Sequence, residues 1–290
     1  MPRLLITGAR GMLGRTLQRE FPRLLPDAEL LPTDLPEGDI TDENAFSRLL
    51  EQAAPNAVIH CAAMTAVDRC ESERELAFRL NAEGTANVAR ACCRCNARLI
   101  AISTDYVFDG TLDRPYNELD RATGGATVYG QSKFAGEEAV REFCPDHLIC
   151  RISWLYGPGG PSFLHAMLKL ADGTRPELKV VDDQHGNPTS TFAVAEKLAA
   201  LLLRPELRGT FHLTCEGEAT WADFAEEIFL QRGIRQKVIR CSTAEFPRPA
   251  PRPANSRLEK AMLRRYNLPP MPDWRAALAD FFNRTSAPEF

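Results

Sequence analysis

Through the first half of the chain, short apolar runs alternate with longer stretches whose apolar residues recur at helical spacing. Arg3–Thr7 (RLLIT) is apolar without alternation, and a continuous run of that length predicts a strand buried on both faces. Comparable runs at residues 29–32, 57–61 (AVIHC), 98–103 (RLIAIS) and His147–Ile152 predict four more strands. Helices are predicted over residues 11–21, 42–53, about 73–95 and Val128–Phe143, the second of them opened by Thr41 or Asp42 as cap. Strands alternating with helices of this length build βαβ units, hence an α/β fold whose parallel sheet is covered on both faces.

The second half changes character. Helical periodicity persists at residues 192–203 and 221–232, but loops lengthen, and residues 244–253 carry four prolines. This predicts a smaller, partly helical C-terminal lobe intertwined with the sheet. Residues 1–155, with part of 178–215, would form the sheet-bearing domain, and residues 156–290 would mainly form the smaller lobe.

Composition narrows the classes. With 290 residues, 44% hydrophobic and 26% charged, the chain is an ordinary globular one, not fibrous or disordered. A net charge of −4 gives no bulk attraction to a phosphate backbone, so no nucleic acid partner is expected. Few of the basic residues are Lys, so a Lys within a site stands out. Nine Cys without a secretory leader point to a reducing compartment, the cytoplasm. Leu4-Leu5-Ile6 is too short an apolar run for a signal sequence or a membrane span. Cys92, Cys93 and Cys95 lack the two-residue gap with which paired thiolates grip zinc, and no metal site is expected.

The first chemical motif is Gly8-Ala9-Arg10-Gly11-Met12-Leu13-Gly14, directly between the first strand and the first helix. Glycines there allow a sharp turn and a close approach to a pyrophosphate, which the helix N-terminus attracts. Asp34, about 20 residues further on, stands where an acid can take the adenosine ribose hydroxyls, or it is a turn residue. Arg10 could instead hold a 2′-phosphate, so the residues leave NADPH and NADH both open. Small residues after the third strand, Cys61-Ala62-Ala63-Met64-Thr65, would let a ribose-phosphate lie against the backbone.

Tyr129 and Lys133 are four apart on a predicted helix and share one face. A nearby ammonium lowers the cost of a phenolate, so the pair can serve general acid–base chemistry at a carbonyl oxygen. Ser103-Thr104-Asp105-Tyr106 follows the fourth strand, and ligands of open α/β sheets bind at such carboxyl ends. A Thr104 hydroxyl there can reach the same oxygen. Glycine loop, strand-end Thr and Tyr–Lys pair together point to a nicotinamide-dependent reductase with a Rossmann-type doubly wound sheet.

The G-x-x-G-x-x-G spacing resembles the extended, sugar-nucleotide branch of the short-chain dehydrogenase/reductase superfamily, whose adenine-contacting segment Gly38-Asp39-Ile40 resembles. Residues 102–110 (ISTDYVFDG) are similar to a segment of the dTDP-4-dehydrorhamnose reductase family. So, in the same order, are Ala66-Val67-Asp68 with Glu71, residues 128–133 (VYGQSK), 151–157 (RISWLYG), 183–189 (DQHGNPT), 251–258 (PRPANSRL) and 274–278 (WRAAL). The resemblance implies hydride transfer to C4 of a dTDP-4-keto-6-deoxy sugar, dTDP-4-dehydro-L-rhamnose giving dTDP-L-rhamnose. It implies Tyr129 as proton donor, Lys133 on the nicotinamide ribose, and Thr104 polarising the ketone. Asp105, Tyr106 and Trp154 would hold the sugar, with Asn255 and Arg257 on the nucleotide side.

One departure concerns assembly. Where some members place carboxylates that hold an interfacial metal, this chain has Thr16 and Thr191, poor ligands for a hard cation. A monomer or weak homodimer without metal is therefore expected. Two other readings share the fold. A non-catalytic partner, such as the regulatory subunit of methionine adenosyltransferase, would not need Thr104, Tyr129 and Lys133. A dehydratase would need a Glu where this chain has Tyr106, whereas an epimerase can use the same Tyr–Lys pair.

Overall fold

The computed structural model describes residues 1–285. The elements of the first half are β1 (Arg3–Thr7), α1 (Met12–Leu24), β2 (Glu29–Thr33), α2 (Glu43–Ala53), β3 (Ala57–His60), α3 (Val67–Ser72), α4 (Arg74–Phe78), α5 (Gly84–Arg94), β4 (Arg98–Thr104), α6 (Val128–Phe143) and β5 (His147–Ile152). Then come β6 (Leu155–Tyr156), α7 (Phe163–Leu170), β7 (Glu177–Val181), β8 (His185–Gly186), β9 (Thr189–Ser190), α8 (Thr191–Leu202) and β10 (Gly209–His212). The chain closes with β11 (Ala219–Thr220), α9 (Trp221–Gln231), β12 (Lys237–Cys241), α10 (Ala261–Arg265) and α11 (Trp274–Arg284).

Six strands form one parallel sheet in the order β10-β5-β4-β3-β1-β2. The order reverses beside β1, so the carboxyl ends of β1 and β3 border the crevice where open α/β sheets take ligands. Alternate residues of each strand serve opposite layers. Leu4, Ile6, Ile59, Ile100 and Leu148 face the layer with α1 and α8, while Leu5, Val58, Leu99 and Ile149 face α2, α5 and α6. Burying each such side chain is worth about 1.5–3 kcal/mol, which is why runs without polar alternation become interior strands.

The fold class is as the sequence reads, and the differences are local. The helix expected over residues 73–95 is broken by a π turn at Arg79–Glu83. That turn carries Asn81 into the interior, where its Oδ1 accepts the Met64 N–H at 2.8 Å and its Nδ2 donates to Ser132 Oγ at 3.0 Å. A polar side chain with several buried partners outweighs the regular helical ladder here. The first helix extends to Leu24, and α3 is a short helix the sequence did not announce.

Segments after β5 return to the sheet. β10 extends its edge next to β5, and α8 packs against α1. Small paired strands, β7 with β12, β8 with β11 and β6 with β9, tie the rest together. Thr16 Oγ1 lies 2.9 Å from Thr191 Oγ1 at the α1–α8 contact, and both side chains are fully buried. The positions singled out for an interfacial metal therefore face each other inside this chain. Among the described residues no helix is long and apolar enough to cross a membrane.

Candidate functional site

The glycine loop sits where β1 ends and α1 begins. Gly8 has φ +63°, and a Cβ there would lie 2.7 Å from the Ala62 nitrogen. A Cβ on Gly14 would lie 2.4 Å from the Gly8 carbonyl oxygen. The first position needs a left-handed turn and the third a close helix–strand approach, and only glycine supplies both. No side chain caps α1 at Gly11, and its first turn holds no acid. The helix start thus keeps its N–H groups and partial positive charge for an anion, so the residues present fit a dinucleotide pyrophosphate. Met12 is half-buried and Leu13 buried, closing the loop against the sheet.

Asp34, just past β2, accepts the Arg10 backbone N–H at 2.8 Å through Oδ2 and the Leu35 N–H at 2.9 Å through Oδ1. It therefore clasps the glycine loop as well as standing beside it, with lone pairs left for a ribose hydroxyl. The Arg10 side chain is exposed. Asp39 Oδ1 accepts from both the N–H and the hydroxyl of Thr41, and Ile40 is buried with its carbonyl bonded to Asn87. Past β3, Ala62 and Ala63 are half-buried, Met64 is buried and Thr65 is exposed. The Ala62 N–H reaches Thr7 Oγ1 at 3.3 Å, tying this segment to β1.

The strand-end group gathers around β4 and the start of α6. Thr104 Oγ1 donates to Asp105 Oδ1 at 2.9 Å and accepts the Tyr106 N–H at 3.2 Å. Tyr129 lies in the first turn of α6, whose cap Thr127 accepts the Gly130 N–H. Burial pushes the Tyr129 phenol up, against a hydrogen bond with Thr104 that pulls it down. The Lys133 ammonium, expected to pull the phenol down, instead donates to the Ile102 carbonyl at 2.8 Å. Burial draws Lys133 down to about 8, against the upward pull of Glu137 and Cys61. Proximity in a helix thus did not give the phenol the expected depression, because desolvation dominates both groups. A phenol held protonated can donate a proton at neutral pH.

Asp105 is buried, and burial raises its carboxyl to about 7 against the hydrogen bond from Thr104. Among the described residues its Oδ2 has no hydrogen-bond partner. Tyr106 packs edge-on against Tyr129, with ring centres 5.4 Å apart.

A cleft of about 630 Å³ opens beside this group, lined by Tyr106, Trp154 and Ser256 among others. Trp154, at φ +46°, stacks flat on Trp221 with ring centres 3.5 Å apart, and its Nε1 donates to Ser256 Oγ at 3.0 Å. Arg175, Lys179, Arg248 and Arg252 stand on the same cleft, and Arg252 pairs with Asp68 at 3.0 Å. Aromatic faces beside several cations suit a base attached to a diphosphate.

Asn255 and Arg257 make a set of contacts within the protein. Asn255 spends its Nδ2 on the Leu112 and Arg114 carbonyls and its Oδ1 on the backbone and side chain of Arg257. Arg257 pairs with Glu218 and lines a different cleft with Glu216 and Lys260. Both scaffold the loop that aims Ser256 and Arg252. Trp221, Arg248, Arg252 and Gln184 also line the cleft beside Trp154 and were not singled out one by one in the sequence. The four-proline stretch beside Arg248 and Arg252 was visible in the sequence, but nothing local announces that Trp221 returns to Trp154.

Comparison with known proteins now adds to the geometry. The RmlD substrate binding domain family matches residues 2–287. A dTDP-4-dehydrorhamnose reductase of Streptomyces griseus is 44% identical over 289 residues, covering 97% of this chain and 93% of that protein. A probable dTDP-4,6-dihydroxy-2-methyloxan-3-one 4-ketoreductase of Streptomyces antibioticus is 40% identical, covering 97% of this chain and 94% of that protein. The crystal structure of dTDP-4-dehydrorhamnose reductase from Bacillus anthracis, in complex with NADP, superposes with a TM-score of 0.94 at 38% identity, covering 98% of this chain and 100% of that one.

Proposed function

Since the chain belongs to the RmlD substrate binding domain family, we propose that it reduces the C4 ketone of a dTDP-4-keto-6-deoxy sugar, dTDP-4-dehydro-L-rhamnose, to the alcohol of dTDP-L-rhamnose. The coarser statement, a nucleotide-sugar oxidoreductase, follows from its relatives at 44% and 40% identity. The observation that carries the finer reading is a juxtaposition. A glycine-lined, uncapped helix start follows β1 and the Thr104–Tyr129–Lys133 group gathers at the end of β4, both on the carboxyl edge of one sheet with only β3 between, beside an aromatic cleft with arginines.

NADPH or NADH, when bound, supplies the hydride. Residues Gly8 to Gly14 would cradle the pyrophosphate, Ala62 to Thr65 the adjoining ribose-phosphate, and Asp39 and Ile40 the adenine. Lys133 would turn from the Ile102 carbonyl toward ribose hydroxyls without leaving its buried slot. Tyr129 would give its phenolic proton to the ketone oxygen, and Thr104 would steady that oxygen once its hydroxyl turns from Asp105. Asp105 Oδ2, buried and without a partner among the described residues, would offer an acceptor to a sugar hydroxyl. The stacked Trp154 and Trp221 would bound the sugar-nucleotide, and Arg248 and Arg252 would face its diphosphate. Tyr106 puts a phenol where elimination would need a carboxylate, which favours simple reduction.

Incubation with NADPH and dTDP-4-dehydro-L-rhamnose should consume the cofactor in proportion to dTDP-L-rhamnose formed. A protein that binds NADPH and dTDP but consumes none would be a partner module.

Cofactor choice is expected to be loose, because Asp34 favours a free 2′-hydroxyl and Arg10 a phosphate there. Each charge-assisted contact is worth roughly 1–3 kcal/mol, so neither dominates. Asp34→Ala should move the NADPH/NADH ratio of kcat/KM upward by about tenfold, and Arg10→Ala should move it downward by a similar factor. An unchanged ratio in Arg10→Ala would make Arg10 a solvated loop residue only.

A further inference from the structure

One helical turn past Lys133, the carboxylate of Glu137 is buried and fully engaged. It receives both Nε and Nη2 of Arg151 at 2.8 and 2.7 Å, the Ser103 hydroxyl at 2.6 Å and Arg141 Nη2 at 2.8 Å. Helix α6 is thereby fastened to β4 at two successive residues, through Lys133 to the Ile102 carbonyl and through Glu137 to Ser103. The next residue of that strand is Thr104. Lys133 and Glu137 also line one small void of about 10 Å³ with His60, Thr85, Ser103 and Gly136. The family reading gives Glu137 no task, and burying an ion pair is weak evidence for stability alone, since apolar replacements often serve as well.

We propose that Glu137 is a positioning residue of the reaction: it registers α6 on β4 and supplies the negative charge that keeps the Lys133 ammonium cationic in its buried slot. The proposal rests on the reading of Lys133 given above.

The charges around that slot decide the sign. From the end of β3 comes His60, and from the residue after it Cys61. Burial and the Lys133 charge hold His60 down to about 3, so it is neutral, and burial holds the Cys61 thiol up at about 12. From α5 comes Thr85 and from β4 comes Ser103, both uncharged. From β5, Arg151 faces Glu137 and, beyond it, His212 of β10, which burial keeps neutral. Arg141 approaches Glu137 from the next turn of α6, and Asp105 lies past Thr104. Glu137 itself is held down to about 2, burial being outweighed by Arg151, Arg141 and Ser103, so it is anionic throughout the working range. Among the charges acting on Lys133, Glu137 leads those that favour the ammonium, and burial opposes it. Removing that charge lets Lys133 lose its proton at lower pH.

The test compares pH profiles of kcat/KM for the unsubstituted protein, Glu137→Gln and Glu137→Asp. In Glu137→Gln the alkaline limb should move down by about one pH unit, roughly a tenfold loss at pH 9 with less than about a threefold loss at pH 6. Glu137→Asp keeps the charge but shortens the reach. It should leave the limb in place while lowering the plateau and the melting temperature. A purely structural carboxylate predicts the opposite order, with near-isosteric Gln harmless to the profile and Asp the more damaging. A limb unmoved in Gln, or moved as far in Asp, overturns the proposal. Where the Gln variant does not fold, the Asp limb alone decides. Lys133→Met separates the two levels. If it keeps full activity, the reading of Lys133 fails. If it is inactive while the Gln limb stays in place, only the role of Glu137 fails.

Discussion

Tyr129→Phe should bind NADPH normally yet lose on the order of 10²–10⁴-fold in kcat, the range that a positioned general acid contributes. The substitution removes one hydroxyl and leaves the ring, so the edge-on packing against Tyr106 survives and the fold should not change. Because burial keeps the phenol protonated, the wild-type plateau should extend through neutral pH, and any alkaline fall should belong to Lys133, near 8, before Tyr129. Steady-state kinetics with a parallel NADPH titration checks both halves. Turnover within tenfold of wild type would remove Tyr129 from the chemistry. A lost cofactor affinity would mean that the ring, not the proton, matters.

The second large effect belongs to Gly14→Val. Its Cβ would press on the Gly8 carbonyl at 2.4 Å and on the Ala9 Cα at 2.8 Å, both backbone atoms that cannot swing aside. Relief requires α1 to back away from β1, and overpacking of this kind costs about 1–3 kcal/mol. The same movement pulls the helix start from the pyrophosphate position, so NADPH affinity should fall by roughly 100-fold or more. Thermal melting and a cofactor titration read the two losses separately. Normal affinity with only a lowered melting temperature would place the dinucleotide elsewhere.

Some of this was legible in the chain and some was not, for physical reasons. Strands β1, β3, β4 and β5 announce themselves because a parallel strand buried on both faces must be apolar throughout. The glycine loop is visible because the turn at Gly8 and the close approach at Gly14 tolerate no other residue. Trp154 and Trp221 are 67 positions apart and meet only through the path of the chain between β5 and α9, so no local pattern pairs them. Asn255 and Arg257 looked like ligand contacts because they are polar and stand in a motif shared with the family. What the motif does not show is their bracing of a loop, with Asn255 Oδ1 taken by Arg257 and its Nδ2 by two carbonyls. The direction of the Tyr129 shift was misread for a related reason. Spacing tells which groups share a helix face, but not how completely they are desolvated. The π turn at Asn81 was hidden because its partners, Met64 and Ser132, are tertiary.

Hydride transfer from the nicotinamide to C4 of the nucleotide sugar can be followed by an isotope label. NADPH deuterated at the transferring nicotinamide position, incubated with dTDP-4-dehydro-L-rhamnose and followed by NMR of the product, tests it most directly. The account predicts dTDP-L-rhamnose with one deuterium at sugar C4, and no transfer by Tyr129→Phe above its residual rate. Oxidised cofactor with deuterium at another carbon, or a changed sugar with the deuterated cofactor intact, would contradict it.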